Sequence, residues 1–323
     1  MAAARENRRV IKRTIEVSRE PAHLCVRLNQ LTLKRGDETV GSIPCEDIGV
    51  VVVDHPQATY THAALASLAQ ADATLVICGR DHLPVAMLVP LADHSQVVWR
   101  VREQIEAGKP LCKRLWRQIV QAKIRAQAAN LAADSPSHRR LLQLASEVRS
   151  GDSTNREAQA AKTYWSAWLT EAPDDRRADF ATFRRDPDGG GANALLNYGY
   201  AVMRAAVARA LVAAGLLPSL GLHHSHRANA FCLADDLLEP LRPVVDERVR
   251  QLLVAGQNEL DQPTKAALLE LLAVPTETDE GRGPLLVALH RYAASLVQCF
   301  QGAARRLEIP RPCESADTDA CGS

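Results

Sequence analysis

With 323 residues, 46% of them hydrophobic and 24% charged, the chain can bury one large core or two ordinary ones, and its balance is globular rather than disordered or fibrous. A formal net charge of +1 excludes a polycation but leaves room for a local basic surface that binds phosphates. The start MAAARENRR leads into no apolar signal core, and the run from Ile48 to Val53 falls far short of the ~18 residues of a membrane span, so the expectation is a cytoplasmic protein without a membrane partner.

Residues 8 to about 92 read as mostly β, with strands predicted over 10–17, 23–31, 39–43, 48–53, 74–78 and 83–91. Turn signals such as Arg35-Gly36-Asp37 separate them, and one helix interrupts them, capped by Thr61. After about residue 95 the pattern becomes helical. Helices are predicted over 98–106, 111–133, 137–148, 153–169, 192–217, 228–239, 244–254, 264–272 and 285–307, the clearest from the periodic rows Leu195-Leu196-Gly199-Met203-Val207 and Leu286-Leu289-Tyr292-Leu296-Phe300. The polar stretch from Glu171 to Gly191 reads as a mobile loop, and the end as a disordered tail. The fold class is thus α+β: a β-sandwich-like domain over 1–95, a larger all-α domain over 96–306, and a tail over 307–323. Eight cysteines without a C-x-x-C pair read as free, mostly buried thiols.

Three features carry chemistry. Glu157 lies in line with Ala160, Ala161, Tyr164, Trp165 and Trp168, which sets a carboxylate on the apolar face of its own helix and asks for a metal, a cation or several donors. Thr154-x-x-Glu157 equally fits a capping box. In GLHHSHRANAFCLADDLLEP, from Gly221 to Pro240, helical spacing puts Asp235, Asp236 and Glu239 on one side, preceded by His223, His224 and His226. An imidazole with two carboxylates suits Mg²⁺ or Mn²⁺; a solvated acidic face balanced by Arg227 and Arg242 is the plainer account. From Arg100 to Arg125 there are eight basic residues against Glu103 and Glu106, a stripe able to hold a phosphate backbone without reading bases or simply to face water. Gly189-Gly190-Gly191 has no following G-K-[ST], and neither G-x-G-x-x-G nor G-x-S-x-G occurs, which argues against nucleotide-loop and serine-hydrolase chemistry.

The blocks NREAQAAKTYWSAW, NALLNYGYAVMRAAVARAL and GLHHSHRANAFCLADDLLEPLRP resemble, in order and spacing, the CRISPR-associated integrase family of spacer acquisition, in the type II style. SIPCEDIGVVVVD in the first half agrees more loosely, and Leu238, Leu241 and His226 depart from the usual pattern. The resemblance implies an N-terminal β domain that dimerises and a helical catalytic domain. Its metal ligands fall on Glu157, His224 and Glu239, with Asp236 as a second-line acid. It further implies insertion of short DNA fragments into a CRISPR array by attack of a 3′-OH, and Mg²⁺ or Mn²⁺ as cofactor. The implied partners are double-stranded DNA, a second copy of the chain, a small ferredoxin-like CRISPR-associated protein and an RNA-guided effector nuclease. DNA contacts are expected from Lys113, Arg114, Arg117, Lys123, Arg125, Arg184 and Arg242. A structure-specific nuclease of branched DNA and a non-catalytic DNA-binding scaffold are the two alternatives.

Overall fold

The computed structural model describes residues 12–80, 82, 84–90, 95–173, 183–278 and 281–312. The chain divides into two compact units, Met1–Pro90 and Leu91–Ser323.

In the first unit, β1 (Arg13–Val17), β5 (Ile48–Val53), β7 (Thr74–Cys78) and β8 (Pro84–Leu88) form one sheet in the order β1-β5-β7-β8. All six residues of β5, IGVVVV, are buried. Parallel neighbours flank it on both edges, the setting in which a strand reads as an unbroken apolar run instead of alternating. A second sheet, ordered β4-β3-β2-β6, contains β2 (His23–Arg27), β3 (Gln30–Arg35), β4 (Glu38–Pro44) and the two-residue β6 (Thr59–Tyr60). Helix α1 (His62–Gln70) starts where expected, the Thr61 hydroxyl accepting from the Ala64 amide at 3.1 Å. Leu24 and Leu31 of one sheet, Ile48, Val51 and Leu75 of the other, and Leu68 of α1 belong to one core cluster.

The strand predicted over 23–31 is instead a hairpin. Leu28 (φ 49°) and Asn29 (φ 58°) are both left-handed, the geometry of the tight two-residue turn that matches strand twist. Leu28, 89% exposed at its tip, looks like a strand residue in sequence, which hides the turn.

The second unit is mostly helical: α2 (Val97–Glu106), α3 (Lys109–Ala129), α4 (Pro136–Glu147), α5 (Arg156–Ala167), α6 (Ala192–Ala213), α7 (Cys232–Leu238), α8 (Arg242–Val254), α9 (Gln262–Leu269) and α10 (Leu285–Phe300). Residues buried all round α6 make it the central helix. Gly199 lets it approach α8 closely, since a Cβ there would run into the Val245 side chain. Strands β9 (Pro275–Thr278), β10 (Gly281–Pro284) and β11 (Arg311–Pro312) form a small sheet ordered β10-β9-β11, so the unit is not all-α. The PTET and GRGP segments lack the alternating apolar pattern that marks a strand in sequence.

The tail expected from 307 is packed as far as 312: Leu307 is buried, its amide donates to Gln118 Oε1 at 3.0 Å, and β11 pairs with β9. The loop expected over 171–191 falls partly outside the described residues. Where it is described, Arg185 donates to Asn193 Oδ1 and Asn197 Oδ1 at 2.9 and 2.5 Å, and Phe183 lies against Trp165 and Trp168. Of the six described cysteines, all free, Cys45, Cys232 and Cys299 are buried and Cys25, Cys78 and Cys112 are half-buried. No described helix is long and apolar enough to cross a membrane.

Candidate metal centre

Helix α3 buries Leu115, Trp116, Ile119, Val120 and Ile124, a spacing of three and four residues that turns one face inward. It packs against α4, α5 and the short 3-10 turn Glu239–Leu241 that joins α7 to α8. Lys113, Arg114, Arg117 and Arg125 are exposed on it, as is Arg184 elsewhere. Lys123 is not. At 100° per residue it stands about 180° round the helix from Arg114, and its side chain is only 12% exposed.

Its ammonium sits between two carboxylates, 2.6 Å from Glu157 Oε1 and 2.5 Å from Glu239 Oε2. Burial pulls the Lys123 pKa down, but Glu239 and Glu157 outweigh it and the net direction is up. The other oxygen of Glu239 accepts from Arg242 Nε at 2.8 Å. Burial alone would raise Glu239, yet Arg242 and Lys123 bring it down to about 2. Arg242, expected to contact phosphate, is thus bound to Glu239, and its guanidinium also lies over the Tyr200 ring, 4.7 Å from the centroid.

Glu157 reaches this position because α5 begins at Arg156, and the cap differs from the one the sequence suggests. Asp152 accepts from the Arg156 and Glu157 amides at 2.8 and 2.9 Å, whereas Thr154 Oγ1 makes no hydrogen bond. The Glu157 carboxylate is therefore spared from capping.

His224 is placed by Asp236. That carboxylate is wholly buried, accepts from the backbone amides of Leu222, His223 and His224 at 2.6, 2.9 and 3.3 Å, and is hydrogen-bonded to His224 Nδ1 at 2.6 Å. The loop wraps this closely because Gly221 has no side chain: a Cβ would meet the His224 carbonyl and, at 2.9 Å, Asp236 Oδ2. Trp116 stacks on His223 with centroids 4.3 Å apart and meets His224 edge-on at 5.5 Å. The hydrogen bond with Asp236 raises the His224 pKa; burial opposes this, and Asp236, Glu239 and Glu157 add to the rise. Both distant glutamates are thus electrostatically felt at the imidazole.

The three acids of the ADDLLE run do not share a cation. Asp235 pairs with Arg204 Nε and accepts from Asn229 Nδ2, both at 2.7 Å, Asp236 serves the histidine loop, and only Glu239 meets Glu157 through Lys123. Helix α7 begins at Cys232 rather than near 228. A cavity of about 190 Å³ opens beside Lys123 and Glu239, with Arg185, Tyr200 and Asp246 in its wall. Burial pushes the Asp246 carboxyl up to about 7 despite hydrogen bonds from Tyr200 and Tyr164.

Among the described residues no three His, Cys, Asp or Glu side chains already form a finished cation site. The donor chemistry nevertheless fits a divalent ion. Two carboxylates share one positive charge, and a nearby imidazole has Nδ1 tied to a buried carboxylate, leaving Nε2 as the ring nitrogen for a ligand. The sequence placed Lys123 among the DNA contacts rather than between the carboxylates, and it gave no sign of Trp116, Gly221 and Asp152. Helix rotation could have singled out Lys123; the other three depend on contacts made only in the fold.

The family model described as CRISPR associated protein Cas1 matches residues 15–269. The CRISPR-associated endonuclease Cas1 of Neisseria meningitidis serogroup C (strain 8013) is 36% identical over 296 residues, covering 89% of this chain and 92% of its own. Among solved structures, a casposase bound to integration product has a TM-score of 0.75 at 17% identity, covering 92% of both chains. The Cas6-RT-Cas1–Cas2 complex has a TM-score of 0.71 at 16% identity, covering 97% of this chain and 37% of that one; both likenesses are of fold. With the family match spanning most of its length, the chain belongs to the Cas1 family of CRISPR-associated proteins.

Proposed function

We propose that the chain is a metal-dependent DNA integrase, inserting short DNA fragments into a CRISPR array by transesterification. The observation that carries this reading is the convergence of Glu157 and Glu239, far apart in sequence, on one positive charge borne by the same helix whose Trp116 meets His224 edge-on. Glu157, Glu239 and His224 Nε2 would hold Mg²⁺ or Mn²⁺, whose chemistry here is to polarise a phosphodiester and stabilise the departing 3′ oxygen. Asp236 fixes the imidazole through Nδ1, as carboxylates commonly do behind a metal-binding histidine. Without the ion, Lys123 and Arg242 neutralise the carboxylates. The attacking 3′-OH comes from the DNA fragment, so the chain needs to supply position rather than a covalent nucleophile. Exposed Lys113, Arg114, Arg117, Arg125 and Arg184 hold DNA by its phosphates.

The Cas6-RT-Cas1–Cas2 complex and the casposase with its integration product support an assembly of this chain with DNA and a CRISPR-associated partner; that the partner is small and ferredoxin-like, that a second copy of this chain joins it in the cytoplasm, and that an RNA-guided effector nuclease acts alongside rest on the family resemblance of the sequence alone. The test is strand transfer from a 3′-OH fragment into a supercoiled plasmid carrying a repeat, with the partner present, for the parent and Glu157→Ala. Joined strands that disappear in the variant support the integrase. Cleavage without joining in the parent favours a nuclease of branched DNA, and joining unchanged in Glu157→Ala makes the chain a scaffold.

A further inference from the structure

Helix α2 turns an amide inward. Val97, Arg100, Val101 and Gln104 share one side of it by spacing, and Gln104, 7% exposed, is the residue of that helix that is buried, while Val98, Trp99 and Ile105 are exposed. A buried amide is costly unless its groups are paired, and this one is. Gln104 Oε1 accepts from the Leu217 amide at 3.0 Å, and Nε2 donates to the Leu217 and Leu220 carbonyls at 3.0 and 2.9 Å. The oxygen faces a donor and the nitrogen two acceptors, so the reverse orientation of the amide would mismatch all three. Leu217 and Leu220 are themselves 41% and 36% exposed, which leaves the backbone bonds, rather than side-chain packing, to hold them.

What Gln104 holds leads into the site. The segment from 214 to 231, between α6 and α7, contains no helix or strand, and it carries His224. The Leu220 amide donates to the Leu217 carbonyl at 3.3 Å and closes a turn at Pro218. The Pro218 carbonyl accepts from the amides of Leu233 and Ala234 at 2.7 and 3.4 Å, in the first turn of α7. From the same turn the chain passes through Gly221 to the amides of Leu222, His223 and His224 that Asp236 gathers. One side chain therefore clasps both ends of a turn from which the His224 loop departs and on which the helix of Asp236 begins.

We propose that Gln104 is a positioning residue for the metal centre, acting through His224. With the clasp open, the loop would be fastened only from Asp236 onward, and the imidazole would be in place for a smaller share of the time. The proposal rests on the reading of Glu157, His224 and Glu239 as metal ligands.

Two measurements on the full chain test it: manganese binding, followed from the free-ion EPR signal well below the melting temperature, and hydrogen exchange of the metal-free protein read by mass spectrometry. Gln104→Met keeps the length of the side chain and removes all three hydrogen bonds. Gln104→Glu keeps the acceptor and loses both donors. Leu217→Ala and Leu220→Ala leave the backbone bonds in place and serve as controls. Both Gln104 variants should bind Mn²⁺ about tenfold more weakly, the loss typical of a partner that orients a metal ligand, and the controls should match the parent. Exchange should quicken across 217–224 in Gln104→Met and stay unchanged in α3 and α5. In strand transfer the variants should need about tenfold more Mn²⁺, with KM for DNA unchanged and kcat recovered at saturating metal. The double variant Gln104→Met/His224→Ala should bind Mn²⁺ no more weakly than His224→Ala, since the loop then has no ligand to place.

Exchange across 217–224 equal to the parent's in Gln104→Met would overturn the proposal, as would faster exchange with Mn²⁺ affinity unmoved. So would parent-like binding by Gln104→Glu, or losses that simply add in the double variant, which is what general destabilisation would give. A parent that binds no Mn²⁺ counts against the metal reading itself, and exchange across 217–224 then decides the clasp alone.

Discussion

Lys123→Met tests whether the place between the two glutamates is a cation site. The ammonium is 2.6 Å from one carboxylate oxygen and 2.5 Å from the other, so those oxygens are at most about 5.1 Å apart. Without the charge between them, they repel by about 3 kcal/mol at an effective dielectric constant near 20. Removing one member of a buried pair costs about 3–5 kcal/mol, and all three side chains are less than one-quarter exposed. In EDTA the variant should therefore melt about 10 °C below the parent, taking about 2–4 °C per kcal/mol for a unit of this size. An ion that binds only the folded protein adds about 2.7 kcal/mol at a hundred times its Kd. Millimolar Mn²⁺ should thus raise the variant more than the parent and close most of the gap. The assay is thermal unfolding across a manganese series. Equal stability in EDTA, or the same metal-induced rise in both proteins, would refute the reasoning.

Asp236→Asn leaves at least one of the amides around this buried position without its acceptor, costing about 1–3 kcal/mol, and should slow metal-dependent strand transfer about 10- to 100-fold; unchanged kcat would remove its positioning role. Proton and metal compete for His224, whose folded pKa is raised, so Mn²⁺-induced stabilisation should grow as pH rises through that titration. In the metal-free protein the stability His224 contributes is complete below its unfolded pKa and lost as pH rises through the folded value; His224→Ala should flatten both effects in pH-resolved melting. Glu239, held at about 2, acts in the opposite direction, its contribution being present above its unfolded pKa of about 4.5 and lost as acid titrates it toward 2. For Asp246, raised to about 7, the parent should lose on the order of 4 kcal/mol between pH 4 and 7, and Asp246→Asn should remove that slope in urea unfolding.

What sequence could show depended on how local the cause was. The buried run of β5 and the Thr61 cap are local, and both emerged as expected. The Leu28-Asn29 turn is local too, but its residues hide it: Leu at a left-handed position gives no turn signal. For the site, residue types and spacing singled out Glu157, the histidine loop and the acids of the ADDLLE run, the resemblance chose Glu157, His224 and Glu239 among them, and neither showed how those charges are compensated. Lys123 counted as one more cation of a basic stripe because charge was summed along α3 rather than resolved round it. The Asp152 cap displaced the Thr154 box for a similar reason, since the bend at Gly151, with φ 69°, brings a better acceptor to the same amides.

The ADDLLE run shows why clustered acids do not by themselves identify a metal ligand. Each of its three carboxylates is buried, and each would be costly to ionise there without compensation. The compensation differs in kind. Asp236 is held by backbone amides of a tight loop, which cannot leave without unfolding it. Asp235 is tied to Arg204 and to Asn229 in the segment leading into its own helix. Glu239 has one fixed cation, Arg242, three residues away, and one on the end of a flexible four-carbon stem, Lys123. An ammonium on such a stem can withdraw in favour of a divalent ion without disturbing the backbone. Of the three acids, Glu239 is therefore the one free to exchange its partner, and the same lysine gives Glu157 the same freedom.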